Sequence, residues 1–330
     1  MNQKVIISGL GAVSPAGWGV AALQVASGEP LPAALGSTPG KVPPLESAPA
    51  WVKHPRFRRA SPLSKFAAAA AMEALGPARA SLVQQGGCRL GIVFSVVNGC
   101  VAYSGKFYGE VLADPGTASP ILFPETVFNA PASHLAAFLN VTGPVCSLVG
   151  DPAQYFAALD MAALWLEQSL VDACLVIGAE EADWLTSHAA DLLLRGLPIA
   201  EGAGCLLLER GDHGVTLQSV AQHSVHRAGE RAEASRALRA TLTPWAAGTL
   251  LVDDLTGHVR TDRATLEAWS DWTGPRCAPL QNLGHGLGAS VPWQSVLAAH
   301  AVATGLAPEA IAVAHGTSHQ IGLAHFRSVI

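Results

Sequence analysis

Five runs of this chain are apolar almost without interruption: VIISGLGAVS (5–14), RLGIVFSVV (89–97), GPVCSLV (143–149), ACLVIGAEEA (173–182) and GAGCLLLERG (202–211). A strand with one wet face alternates apolar and polar residues. A continuous apolar run therefore marks a strand covered on both faces. Between these runs lie helix-forming segments, SKFAAAAAMEAL (64–75), opened by Ser64 as a cap, and PAQYFAALDMAALWLEQSL (152–170). Strands alternating with helices predict an α/β protein with a largely parallel, doubly covered sheet.

The second half is compressed but similar in kind. TLLVDDLTG (249–257) reads as strand and loop, RATLEAWSDW (263–272) as a short helix, and PLQNLGHGLGAS (279–290) as a glycine-rich loop. SVLAAHAVATG (295–305) reads as a helix, and 310–327 as two closing strands, the last near 320–328. Residues 28–62 carry many of the prolines and predict an irregular excursion. Within it, KHPRFRR (53–59) is a basic cluster, either a solvated loop or a contact for an acidic carrier protein.

Composition narrows the function classes. The chain has 330 residues, half of them apolar, with a net charge of −5, which offers no overall attraction to nucleic acid or acidic membranes. Its six cysteines form no CxxC pair and no metal-ligand spacing, so reduced thiols and no metal or cofactor are expected. Gly9, Gly11, Pro15 and Gly17 break the first apolar run, unlike a secretory leader. No stretch of 18 clean apolar residues predicts a membrane span. The expectation is a soluble, cytoplasmic protein.

Taken in order, GLGAVSPAG, SPILFPETVFNAPASH, GPVCSLVGDPA, LVIGAEEA, EGAGCLLLER, NLGHGLGAS and HGTSHQIGLAHF resemble the landmarks of the β-ketoacyl synthases. The resemblance spans nearly the whole chain, and its order and spacing are more specific than any one motif. It implies the thiolase fold, a five-layered α-β-α-β-α sandwich of two related halves, placed here at 1–212 and 213–330. It also implies a shortened segment between Glu180 and Glu201, because family members are typically longer.

Members of that family carry a cysteine nucleophile at the turn from strand to helix, where a helix N-terminus favours the thiolate and backbone N–H groups hold the oxyanion. Counting from Gly143-Pro144 and from Gly178-Ala179-Glu180, both without gaps, puts that position at Pro152. Proline has neither a nucleophilic atom nor an N–H, but it starts a helix well after an Asp cap such as Asp151. Cys146 lies six residues upstream in a strand and reads as a small buried side chain. Gln154 falls two residues late, about 200° around the helix at 100° per residue, and should face elsewhere.

Condensation in the family also uses two histidines and a lysine. The second histidine matches His285, the lysine falls at Leu280, and the first histidine falls at Asp254, anchored by Thr256 and Asp262. His258 is a displaced candidate. A carboxylate at 254 puts negative charge where a malonyl carboxylate or enolate must sit. Losing one preorganised donor usually costs roughly a hundred- to a thousandfold in rate.

The resemblance therefore implies a subunit without catalytic residues of its own, of the chain-length-factor type. It would pair with an active β-ketoacyl synthase and shape the acyl tunnel in a type II polyketide or aryl-polyene-like pathway. Expected partners are that synthase (or a second copy of this chain) and an acyl carrier protein. Phe107, Phe123 and Phe128 are the candidate tunnel wall. The alternatives are a carrier-dependent decarboxylase or acyltransferase with an altered site, and an acyl-chain binding protein.

Overall fold

The computed structural model describes residues 4–28, 40–46, 49–194, 196–225, 227–242, 244–318 and 320–329. The first half contains β1 (Lys4–Ser14), β2 (Gly17–Trp18), α1 (Val20–Gly28), α2 (Pro62–Gln84), β3 (Leu90–Val96), α3 (Val101–Ala113), α4 (Ala130–Leu139), β4 (Val145–Val149), α5 (Gln154–Glu167), β5 (Ala173–Glu180), α6 (Trp184–Leu194) and β6 (Gly202–Gly211). The second contains β7 (Gly214–Ser224), α7 (Arg231–Thr241), β8 (Leu250–Val252), α8 (Val259–Ala268), β9 (Arg276–Cys277), α9 (Leu280–Leu283), α10 (Ser290–Ala303), β10 (Glu309–His315) and β11 (Gln320–Val329).

The strands run in the order β4-β3-β5-β6-β1-β7-β11-β10-β8-β9. Numbered within each half, leaving out the two-residue β2, both halves read 3-2-4-5-1. The senses agree too: β3 is parallel to β4 and β5, and β6 is antiparallel to β5 and β1. Likewise β8 is parallel to β9 and β10, and β11 is antiparallel to β10 and β7. The halves meet where β1 pairs with β7, at Ile6–Thr216 and Ile7–Val215. This is the two-halved thiolase-like architecture expected from the sequence.

Burial falls into three apolar clusters that match five layers. The largest surrounds α5 and α10, which both pack against strands of both halves. One outer cluster joins α2 and α4 to the first sheet, and the other joins α7 and α8 to the second. Twelve of the fourteen residues of α10 are buried, so its sequence is apolar all round. Two of its polar side chains reach the sheets, while Gln294 Oε1 and Ser295 Oγ are buried without a partner among the described residues. Trp293 Nε1 donates to the carbonyls of Val13 and Ala203, and Gln294 Nε2 to that of Val313.

The alanine run of α2 has a steric cause. A Cβ built on Gly9 or Gly11 of β1 would lie 1.9 Å from the Ala74 carbonyl oxygen or 1.8 Å from that of Ala70. Helix backbone thus lies directly on strand backbone, and only small side chains fit the contact face.

Several sequence expectations shift. The cap of α2 is Ser61, whose Oγ accepts the Ser64 N–H, with Pro62 opening the helix. The helix expected from residue 152 begins at Gln154, after a turn through Asp151–Ala153, and the one expected at 263–272 lies at Val259–Ala268. GPVCSLV, expected as a buried strand, forms β4 at the outer edge of the sheet, with Val145 and Val149 exposed and Cys146 half-buried. The apolar run misled because an edge strand with a greasy outer side carries the same signal as an interior one. Of the 28–62 excursion, residues 29–39, 47 and 48 lie outside the described residues, and the remainder before α2 holds one short 3₁₀ turn, Ala50–Lys53. No helix among the described residues is long and apolar enough to cross a membrane.

Candidate functional site

The strand-to-helix turn sits where β4 meets α5 under the central layer. Pro152 and Ala153 are buried, and Pro152 brings neither nucleophile nor N–H. Asp151 dominates the turn. Its Oδ1 accepts the Ala153 N–H at 3.1 Å, and its Oδ2 accepts the Ser318 N–H at 2.6 Å from the loop between β10 and β11. That loop presses close, since a Cβ on Gly316 would fall 1.4 Å from Asp151 Oδ1. A tetrahedral intermediate on this turn would need backbone N–H donors. The two that converge here are both held by a carboxylate. His319, part of the same loop, lies outside the described residues.

Gln154 opens α5 and folds back, its Oε1 lying 2.1 Å from where a Gly150 Cβ would be. Cys146 stays in β4, making no contact with the turn among the described hydrogen bonds.

His285 stands in the glycine-rich loop before α10, buried, with Leu287 N–H donating to its Nδ1 at 3.2 Å. The ring proton is therefore on Nε2. Burial pulls its pKa below the ordinary value, and the negative charges of Asp254, Asp151 and Asp262 only partly oppose this, so the ring is neutral at pH 7. Those same charges show which groups the fold gathers: the Asp151 turn, Asp254 and His285 share one neighbourhood. Leu280 is absorbed into the central core as the first residue of α9.

Asp254 is committed to a network of its own. Its Oδ1 accepts from Thr265 Oγ at 2.5 Å, and its Oδ2 accepts the His315 N–H at 2.5 Å and faces His315 Nδ1 at 3.2 Å. Burial alone would raise its pKa, but the His315 side chain and these hydrogen bonds outweigh burial and hold it below the usual range. His315, at the end of β10, is the site residue that sequence reasoning missed. A lone histidine at a strand end gives no spacing signal, although it opens the HGTSHQ landmark. Its Nε2 is buried without a partner. His258 instead occupies the residue before α8, with no hydrogen bond to Asp254 or His285 among the described residues. Nearby, Asp262 accepts from Thr256 and Gly257.

A second buried carboxylate braces the site from behind. Glu180 accepts the N–H groups of Val97, Asn98 and Gly99 after β3 and that of Gly288 before α10. Complete burial pushes it up to about 8 in spite of those donors.

The aromatic candidates lie outside this centre. Phe107 and Phe123 meet at 5.5 Å between ring centroids with their planes tilted by 54°, and Phe128 covers Gly99. Phe123 is 56% exposed and Phe128 45%. Because Val96 and Val149 end β3 and β4 side by side, α3 leaves the sheet from the same edge as the Asp151 turn. Further exposed apolar side chains are Tyr108 and Leu112 on α3, Val145 and Val149 on β4, and Trp184 and Leu192 on α6.

No family model matches the sequence, and no curated protein matches it either. Solved structures do. An ishigamide ketosynthase/chain length factor matches at 19% identity with a TM-score of 0.77, over 99% of this chain and 100% of that one. A type II polyketide synthase ketosynthase in complex with its acyl-carrier protein matches at 15% identity and TM-score 0.80, over the whole of both chains. A β-ketoacyl synthase from Burkholderia phymatum matches at 16% and 0.80, over 99% of this chain and 100% of that one. The fold is that of the ketosynthases and their chain length factors. At these identities the likeness speaks for the fold alone.

Proposed function

We propose that this chain is a non-catalytic, ketosynthase-like subunit of the chain-length-factor type, acting in the cytoplasm beside an active β-ketoacyl synthase in a type II polyketide or aryl-polyene-like pathway. The observation that carries the reading is Asp151, which holds the Ala153 and Ser318 N–H groups next to a proline in place of a nucleophile. Asp254 and Leu280 support it, since neither can supply what the family's histidine and lysine do.

In this reading the exposed edge of β4 and the apolar side chains of α3 and α6 receive the partner. A subunit with this much uncovered apolar surface is suited to an obligate interface, which commonly buries about 2,000–5,000 Å² in total. Phe107, Phe123 and Phe128 then become tunnel wall once the partner covers them. Lys53, Arg56, Arg58 and Arg59, exposed around the buried anchor Phe57, offer a contact for an acidic carrier protein. The junction of the two halves is placed between residues 212 and 213, in the turn from β6 to β7.

The deciding experiment is coexpression with an active type II ketosynthase. A stable complex, with no acyl loading or CO₂ release by this chain alone, supports the proposal. A protein that stays monomeric at micromolar concentration and gains no partner overturns it. The retained, neutral His285 favours a second reading, a carrier-dependent decarboxylase, for which CO₂ release from malonyl carrier protein by the isolated chain is the test.

A further inference from the structure

The first turns of α7 and α8 face each other across a cleft of about 260 Å³ that lies outside the site described above. Three arginines, Arg231, Arg260 and Arg263, line this small space together with Thr261 and Glu267. We propose that this cleft binds a phosphate dianion, as free phosphate or as a phosphate monoester, through Arg231, Arg260 and Arg263.

The side chains are set differently, and the difference matters. Arg231 Nη2 donates to the Ser318 carbonyl, and its other N–H groups have no hydrogen bond among the described residues. Arg263 Nε bonds Glu267 Oε1 at 2.8 Å, which anchors it through one of its donors. Arg260 has no ion-pair or hydrogen-bond partner among the described residues. On a chain of net charge −5, three arginines lining one cleft with a single acid make a local excess of positive charge.

Charge selects the ligand. Three guanidinium groups against the single lining carboxylate of Glu267 leave two positive charges, the complement of a phosphate dianion. Planar guanidinium forks match phosphate oxygens better than they match a single-point anion. The helix starts add to this: neither α7 nor α8 has a side-chain cap, and their N-terminal ends carry partial positive charge. The nearby acids do not cancel it. Asp262, in the first turn of α8, is turned inward onto the N–H groups of Thr256 and Gly257. Glu230 and Glu233 flank the start of α7 without lining the cleft.

The cleft also touches the turn. Arg231 holds the Ser318 carbonyl while the Ser318 N–H holds Asp151, so an occupied cleft and the strand-to-helix turn share one loop. The inference does not depend on whether the chain is catalytic.

The test is a titration of the intact chain, followed by NMR of the arginine Nε–H signals, with inorganic phosphate, methyl phosphate, dimethyl phosphate and acetate. The two dianionic probes should shift the Arg231, Arg260 and Arg263 signals and bind at least about tenfold tighter than dimethyl phosphate or acetate, the step expected from losing one charge-assisted pair. Arg260→Ala, at an exposed position, should keep the fold and weaken phosphate binding about tenfold. Tighter binding of methyl phosphate than of phosphate assigns the cleft to monoesters, and equal binding assigns it to free phosphate. Equal affinity for all four probes, or phosphate binding unchanged in Arg260→Ala, overturns the proposal.

Discussion

Asp254 and His315 come from the ends of two parallel strands, 61 residues apart, and meet through two contacts, a backbone N–H bond at 2.5 Å and a ring contact at 3.2 Å. The carboxylate is held below its ordinary value of 3.8. A depressed acid contributes stability that is present above the unfolded value and lost as pH falls through the folded one. Asp254→Ala should cost about 1–3 kcal/mol at pH 7, because it leaves the His315 N–H without its acceptor. The gap to wild type should narrow below pH 3.8, read by urea denaturation at each pH.

Glu180 has the opposite sign. Its native pKa, about 8, lies above the ordinary 4.5, so the folded state binds the extra proton. Stability should fall as pH rises from 4.5 towards 8, by no more than a few kcal/mol. In Glu180→Gln that slope should flatten. Its stability at pH 5 should also drop, because the amide NH₂ would face backbone N–H donors.

Restoring the missing thiol should not restore chemistry. Pro152→Cys places a cysteine beside N–H groups that Asp151 already occupies, with Asp254 and Leu280 unchanged. Mass spectrometry after incubation with acyl carrier protein should find no acyl adduct on the variant or on the wild type.

At the sheet edge, Val145→Asp puts a charge on a position that is 41% exposed in the isolated chain. Its own stability should change by less than about 1 kcal/mol, as at ordinary surface positions. Copurification of a coexpressed ketosynthase should be lost. Retained copurification would move the interface away from β4.

Large-to-small changes at Phe107, Phe123 or Phe128 should lengthen the product made by the complex, measured by mass spectrometry of extracted products. The isolated fold should tolerate them, since none of the three belongs to an apolar core cluster.

What the sequence disclosed follows from range. The strands of β1, β3, β5 and β6 were legible because their runs are apolar on both faces, a local signal. The edge position of β4 was not, because exposure depends on which strand lies next to it. Counting from fixed glycines and acids singles out Pro152, Asp254, Leu280 and His285 as candidate positions. It does not single out His315 or the trio Arg231, Arg260 and Arg263, since only the tertiary fold brings each set together. The kinship of the halves shows in the strand order far more plainly than in the residues.

Asp151 has one more consequence. A carboxylate that holds the Ala153 and Ser318 N–H groups is, in effect, an inhibitor attached to the protein by its own backbone. Groups linked in this way can act at effective concentrations of about 10⁵ M and above, beyond anything a dissolved thioester can reach. It needs no synthesis, never diffuses off and cannot be washed out. A thioester carbonyl arriving at this turn would compete with a ligand that is always bound, so supplying more of it would not free those N–H groups.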